Sequence, residues 1–137
     1  MEVLIIAIEQ YTESLTLTEM KCKLGKNEFG YVYPQGDVSD IDKIDNLLKF
    51  AGGKPKICPI DHYLPEGKGK AKPEFIITFN KDINTIIVVE CKNSVAKHMS
   101  EDLSHPSSFA VDGVLYYAKF LKNDYNVIAI AISGTKK

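Results

Sequence analysis

Two β-rich runs, Phe75 to Phe79 and Thr85 to Lys92, are joined by only Asn80 to Asn84, and this spacing constrains the fold more than any other feature. Both runs are dominated by Ile, Val, Phe and Thr, which fit a pleated and half-buried surface, and the connection is short enough for a hairpin. Because alternate side chains of a strand share a face, Ile86, Val88, Glu90 and Lys92 are expected on one side and Ile87, Val89 and Cys91 on the other. A further run, Val127 to Ile132, is wholly apolar, as expected for the interior of a sheet covered on both faces.

Helical signals flank these strands. Ser39 is placed to cap a helix with Asp42 three positions on; Ile41, Ile44, Leu47 and Leu48 then fall on one face, and Gly52-Gly53 supplies the stop. Pro106 opens a second helical run to about Leu121, with Ala110, Val114, Tyr117 and Leu121 in one apolar stripe beside Val111, Leu115 and Ala118. Between them, Pro55 and Pro59 restrict Lys54 to Leu64 to extended or turn conformations, Glu66 to Lys72 reads as a flexible basic loop, and Ser94 to Ser104 as a polar loop. The first 36 residues are less informative: Val3 to Tyr11 fits a strand or a helix start, and Leu15 to Leu24 is weakly helical. The order predicts an α/β domain with a central mixed sheet of about four strands flanked by helices, in which the second helix makes a crossover.

With 137 residues, 45% hydrophobic and 26% charged, the chain has the makings of one compact domain, read as an N-terminal extension over 1–36 and a core over 37–137. Its longest apolar runs are too short to span a bilayer, and only Met1 and Glu2 precede Val3, so no export signal is read and a cytoplasmic location is expected. Cys22, Cys58 and Cys91 form neither a disulfide framework nor a zinc-ligand spacing. The formal charge of −1 excludes a protein that coats nucleic acid electrostatically, so any such contact must be local. All 17 basic residues are lysines, which bind phosphate as point charges and lack the planar fork that reads guanine.

The chemistry concentrates at the end of the Thr85 to Lys92 strand. Burying Glu90 and Lys92 at the rim of a core is costly unless they are paired or bind an ion. Glu74, at the start of the neighbouring strand, supplies a second acid for the same rim. Two carboxylates with a lysine suit divalent-metal hydrolysis of a phosphodiester, since magnesium keeps most of its water and takes only one or two protein carboxylates. Lys92 would orient the attacking water or balance charge in the transition state.

Pro73-Glu74, then Glu90-Cys91-Lys92, followed by a helix and an apolar strand, resembles the PD-(D/E)xK nuclease superfamily. The resemblance is closer to the nuclease-like N-terminal region of restriction-modification proteins fused to an adenine methyltransferase. It rests on Lys-Pro-Glu-Phe-Ile-Ile at 72–77, Val-Val-Glu-Cys-Lys at 88–92, Lys-His-Met-Ser at 97–100, Ala-Val-Asp-Gly-Val-Leu-Tyr-Tyr-Ala at 110–118 and Val-Ile-Ala-Ile-Ala-Ile-Ser-Gly at 127–134. The resemblance implies a restriction-endonuclease-like core, with Glu74, Glu90 and Lys92 catalytic. It implies metal ligation by the side chains of Glu74 and Glu90 and the backbone carbonyl of Cys91. Mg2+ is the implied cofactor, with Mn2+ able to substitute. The superfamily's usual first acid is aspartate, and Glu74 is one methylene longer. Many members add an acid from the first helix, for which Asp42 and Asp45 are candidates.

Lys68, Lys70 and Lys72 precede Glu74 and are candidate phosphate contacts, as are Lys97 and His98 beyond the motif; each competes with an ordinary solvated loop. His105 lacks a partner at metal-ligand spacing. Asp112, Tyr116 and Lys119 share the polar face of the second helix; the superfamily it resembles often sets a polar helix near its site, but such a stripe is usually just solvated. Tyr31, Tyr33 and Tyr63 are able to stack bases but equally to pack a core. The reading is a magnesium-dependent restriction deoxyribonuclease domain, type II-like or type I-like, acting on double-stranded DNA. Methyltransferase and target-recognition domains or subunits are expected as partners, the chain being the N-terminal part of a longer protein, with a homodimer to cut both strands. The alternative is an inactive nuclease-fold module that binds DNA or docks such a partner.

Overall fold

The computed structural model describes residues 2–7, 30–35, 37–38, 41–59, 61 and 68–134. The expected Leu15 to Leu24 helix, the Ser39 cap, Cys22, Tyr63 and the start of the Glu66 to Lys72 loop lie outside them. Among the described residues five strands form one mixed sheet, in the order β1-β5-β4-β3-β2. They are β1 (Glu2–Ala7), β2 (Gly30–Pro34), β3 (Phe75–Phe79), β4 (Thr85–Lys92) and β5 (Asn126–Ser133). The helices are α1 (Asp42–Ala51) and α2 (Ala110–Leu121), with a single 3-10 turn at Val95–Lys97.

The hairpin forms where the sequence places it, β3 and β4 pairing antiparallel from Phe75 opposite Val89 to Thr78 opposite Ile86. Chain reversal through α2 brings β5 parallel to β4, from Thr85 opposite Asn126 to Lys92 opposite Ser133. The α/β class with a central mixed sheet and packed helices therefore stands, but the strand number rises from about four to five. Both additions to the hairpin and β5 come from the first 36 residues, so that stretch is more than an extension: β1 is parallel to β5 and β2 antiparallel to β3. Their signals are weak because β1 is a short apolar run without alternation. β2 carries Gly30 and Pro34, which are tolerated because it lies at the sheet edge.

The pleat sorts the apolar residues into two clusters. Ile76, Ile86, Val88, Val127, Ala129 and Ala131 join α1 and α2 in the larger one. Phe75, Ile77, Val89, Cys91, Ile130 and Ile132 form the other with Val32. Both described helices thus pack on one face, and β5 is buried along most of its length, as an all-apolar strand requires.

Of the face expected for α1, Ile44 and Leu48 are buried while Ile41 and Leu47 pack only partly against the cluster, and Ala51 joins them. The helix ends at Gly52, whose φ of 71° is readily adopted without a Cβ. α2 differs from expectation in two respects. It begins at Ala110 rather than Pro106, because residues before it are held in a turn in which Ser108 and Phe109 N–H groups donate to the His105 carbonyl. Its expected polar face is not solvated: Asp112, Tyr116 and Lys119 are all buried. The Tyr116 hydroxyl donates to the Ala51 carbonyl at 2.7 Å and Lys119 Nζ to the Pro59 carbonyl at 2.8 Å, so these polar ends anchor α2 to the α1 C-terminus and the chain beyond it. No helix among the described residues is long and apolar enough to cross a membrane.

Candidate active site

The β3–β4 ladder ends at Phe75 opposite Val89, so Glu74, in the bend just before β3, and Glu90, the next residue of β4, flank the same end of the hairpin. Glu90 follows the parity of Val88 and lies on the helix-bearing face, against Gly113 of α2, and Lys92 shares that parity. Carboxylates at one end of a hairpin need polar or cationic neighbours. Glu74 accepts a hydrogen bond from Gln35 Nε2 at 2.7 Å. Glu90, whose side chain is only 3% exposed, forms an ion pair with Lys54. Lys92 Nζ instead donates to the Ser107 carbonyl at 3.1 Å, drawing the loop before α2 over the end of β4.

Tyr117 on α2 lies beside Glu90. Burial, then the charge of Glu90 and a hydrogen bond with it, then the charge of Glu74, hold its phenol far above its ordinary pKa. Its hydroxyl also donates to the Lys72 carbonyl at 3.1 Å, and its ring lies 5.4 Å from Lys54 Nζ. Gly113, one turn earlier, lets α2 close on Glu90: an added Cβ would stand 2.9 Å from the Pro106 carbonyl oxygen and 3.0 Å from Glu90 Oε2. Gly113→Ala gains ~1 kcal/mol of helix propensity but meets a backbone oxygen, and overpacking of this kind costs about 1–3 kcal/mol. The expected result is a net loss of stability in urea denaturation; a gain would show that the helix does not close on Glu90 as described.

The remaining predicted residues divide. Cys91 directs its thiol into the second cluster, opposite to the carboxylates, as the strand parity predicts. Lys68, Lys72 and Lys97 are exposed. Lys70 is instead half-buried and paired with Asp45 on α1, which also accepts from Lys49 at 2.8 Å. The Lys49 hydrogen bond, followed by that of Lys70, holds Asp45 below the usual carboxylate range. Asp45 is thus committed to lysines, and Asp42 is exposed in the first turn of α1.

His98 is half-buried. Its Nδ1 lies 2.7 Å from Ser133 Oγ, and its Nε2 is buried without a hydrogen-bond partner among the described residues. Burial lowers its pKa, favouring the neutral ring. Ser133 is the β5 partner of Lys92, so His98 fastens the 3-10 turn to the same end of the sheet. Tyr31 and Tyr33 pack on each other with ring centroids 4.6 Å apart, Tyr33 also contacting the larger core cluster.

Asp112 is 2% exposed and accepts from the Ser100 N–H at 3.2 Å, the Ser100 hydroxyl and the His105 N–H at 2.9 Å. It therefore ties the loop that carries Ser107 to α2. A cleft of about 500 Å3 opens on this loop, lined by Met99, Ser100, Asp102, His105 and Phe109.

The chain matches no protein-family model, no curated protein and no solved structure. The site is therefore read from its own chemistry. Among the described residues no three His, Cys, Asp or Glu side chains cluster as a metal cage. Were Glu74, Glu90 and the Cys91 carbonyl to act as ligands, the set would be oxygen-only, of the kind that suits a hard divalent ion keeping most of its water rather than a closed zinc-type centre. Sequence reasoning missed Lys54, Gln35, Tyr117 and Gly113 as members of the site. Only Gly113 carried a local signal, an unusual glycine inside a helical run.

Proposed function

We propose that this chain is a magnesium-dependent DNA endonuclease domain of a restriction-modification system, acting in the cytoplasm on double-stranded DNA, with manganese able to substitute. The reading is supported by Glu74 just before β3, Glu90 one residue past the last β3–β4 pair, and Lys92 two residues on along the face of Glu90. A divalent ion there would polarise a phosphate oxygen and lower the pKa of its water. Glu74 and Glu90 would hold that ion. Lys92, released from the Ser107 carbonyl, orients the attacking water or balances the charge that grows on the phosphate. Exposed Lys68, Lys72 and Lys97 supply backbone contacts without sequence choice, so specificity rests with methyltransferase and target-recognition partners, and cutting both strands rests with a second copy.

The second reading, a module that binds DNA or docks a partner without cutting, is favoured by one observation: Lys54 already neutralises Glu90. Conversion of supercoiled plasmid to nicked or linear form separates the two. In Mg2+ or Mn2+ the unaltered chain is expected to cleave, chelation to stop it, and Glu90→Ala to reduce it to background. Cleavage no greater than that of Glu90→Ala would leave the docking module as the function.

A further inference from the structure

The Lys54–Glu90 pair sits where the divalent ion of the proposed reaction would bind. Glu90 is enclosed by Gly113, Tyr117 and the Pro106 backbone, with its side chain 3% exposed and that of Lys54 16% exposed. A carboxylate this enclosed needs a cation, because an unpaired buried charge is strongly destabilising. Lys54 comes from outside the sheet, from the segment that follows the Gly52 cap, and reaches Glu90 past the Tyr117 ring. The backbone around it is tethered separately, Gly53 N–H donating to the Lys68 carbonyl at 3.3 Å and Ala71 N–H to the Leu48 carbonyl at 2.9 Å. A flexible four-carbon stem lets the ammonium leave while that backbone stays in place.

We infer that Lys54 is the resident counter-ion of the carboxylate pair and that a divalent cation binds there only by displacing it. This rests on the reading of Glu74 and Glu90 as metal ligands. Charge balance favours the exchange: one ammonium leaves the two carboxylates with a net negative charge, and a divalent ion removes it. Keeping both cations on Glu90 would set like charges against each other in an enclosed space. Lys54 therefore lowers the apparent metal affinity and keeps the fold intact when no metal is bound.

Titration calorimetry with Mn2+ alone, together with thermal denaturation, tests this without any reading of cleavage. Lys54→Met keeps the apolar stem and removes the charge. It is expected to bind Mn2+ at least about tenfold more tightly than the unaltered chain, a gain of ~1.4 kcal/mol. Its Tm should fall without metal and recover with it by mass action. Lys54→Met combined with Glu90→Gln should lose that gain. Equal affinity in a folded Lys54→Met chain, or a gain that survives Glu90→Gln, would overturn the inference. Should Lys54→Met be unfolded without metal, recovery of its circular dichroism by Mn2+ supports displacement and failure to recover refutes it. The two readings fail separately. A gain in affinity with no plasmid cleavage removes only the nuclease, and cleavage with unchanged affinity removes only the displacement.

Discussion

Lys92→Ala is expected to lower metal-dependent plasmid cleavage by about 10²–10³-fold while leaving Mn2+ affinity within about threefold. The reason is its position. Lys92 lies two residues beyond Glu90 on the same strand face, yet its ammonium contacts the Ser107 carbonyl, and the cation on Glu90 is that of Lys54. On the proposed mechanism, removing Lys92 would take away a charge that acts on water or phosphate without removing a metal ligand. Calorimetry and single-turnover cleavage on the same preparation make the split visible. If affinity and cleavage fall together, Lys92 supports the ion site and the catalytic role assigned to it is wrong. If neither falls, the lysine is a loop anchor alone.

Asp112→Ala is expected to cost about 3–5 kcal/mol, since hydrogen bonds to a charged group are worth roughly 1.5–3 kcal/mol each and the abandoned donors stay buried. Three donors converge on this carboxylate: the Ser100 N–H, the Ser100 hydroxyl and the His105 N–H. For a domain of this size that loss is a fall in Tm of roughly 10–15 °C. Asp112→Asn, which keeps one acceptor oxygen and adds a donor where none is wanted, should fall between the two. The loop held by Asp112 also carries the Ser107 carbonyl that Lys92 contacts, so cleavage should weaken at temperatures where the variant is still folded. A Tm within about 2 °C of the unaltered chain would mean that water replaces the carboxylate and that the loop is not pinned by Asp112.

The two variants probe different layers of the molecule, and those layers differ in how far the sequence discloses them. The hairpin was legible because strand periodicity is local: Thr85 to Lys92 alternates its side chains whatever surrounds it, so the shared face of Glu90 and Lys92 and the opposite direction of Cys91 follow from the pleat alone. The inward face of α1 and the burial of β5 were legible for the same reason. The strand roles of β1 and β2 were not, since six and five residues with weak patterning acquire strand identity only from the partners they meet.

The sequence by itself therefore determined the α/β class, the hairpin and the faces of its strands and helices. Tertiary structure decided what each charge does. Lys70 turned to Asp45, Lys54 came across to Glu90, Asp112 became the buried anchor of a loop, and His98 bound Ser133 instead of facing solvent. Side-chain direction along an element is set by backbone geometry and is written in neighbouring residues. The partner of a charge is set by which distant segments burial brings together, and pairs such as Lys54 with Glu90, 36 residues apart, leave no periodic trace in the chain.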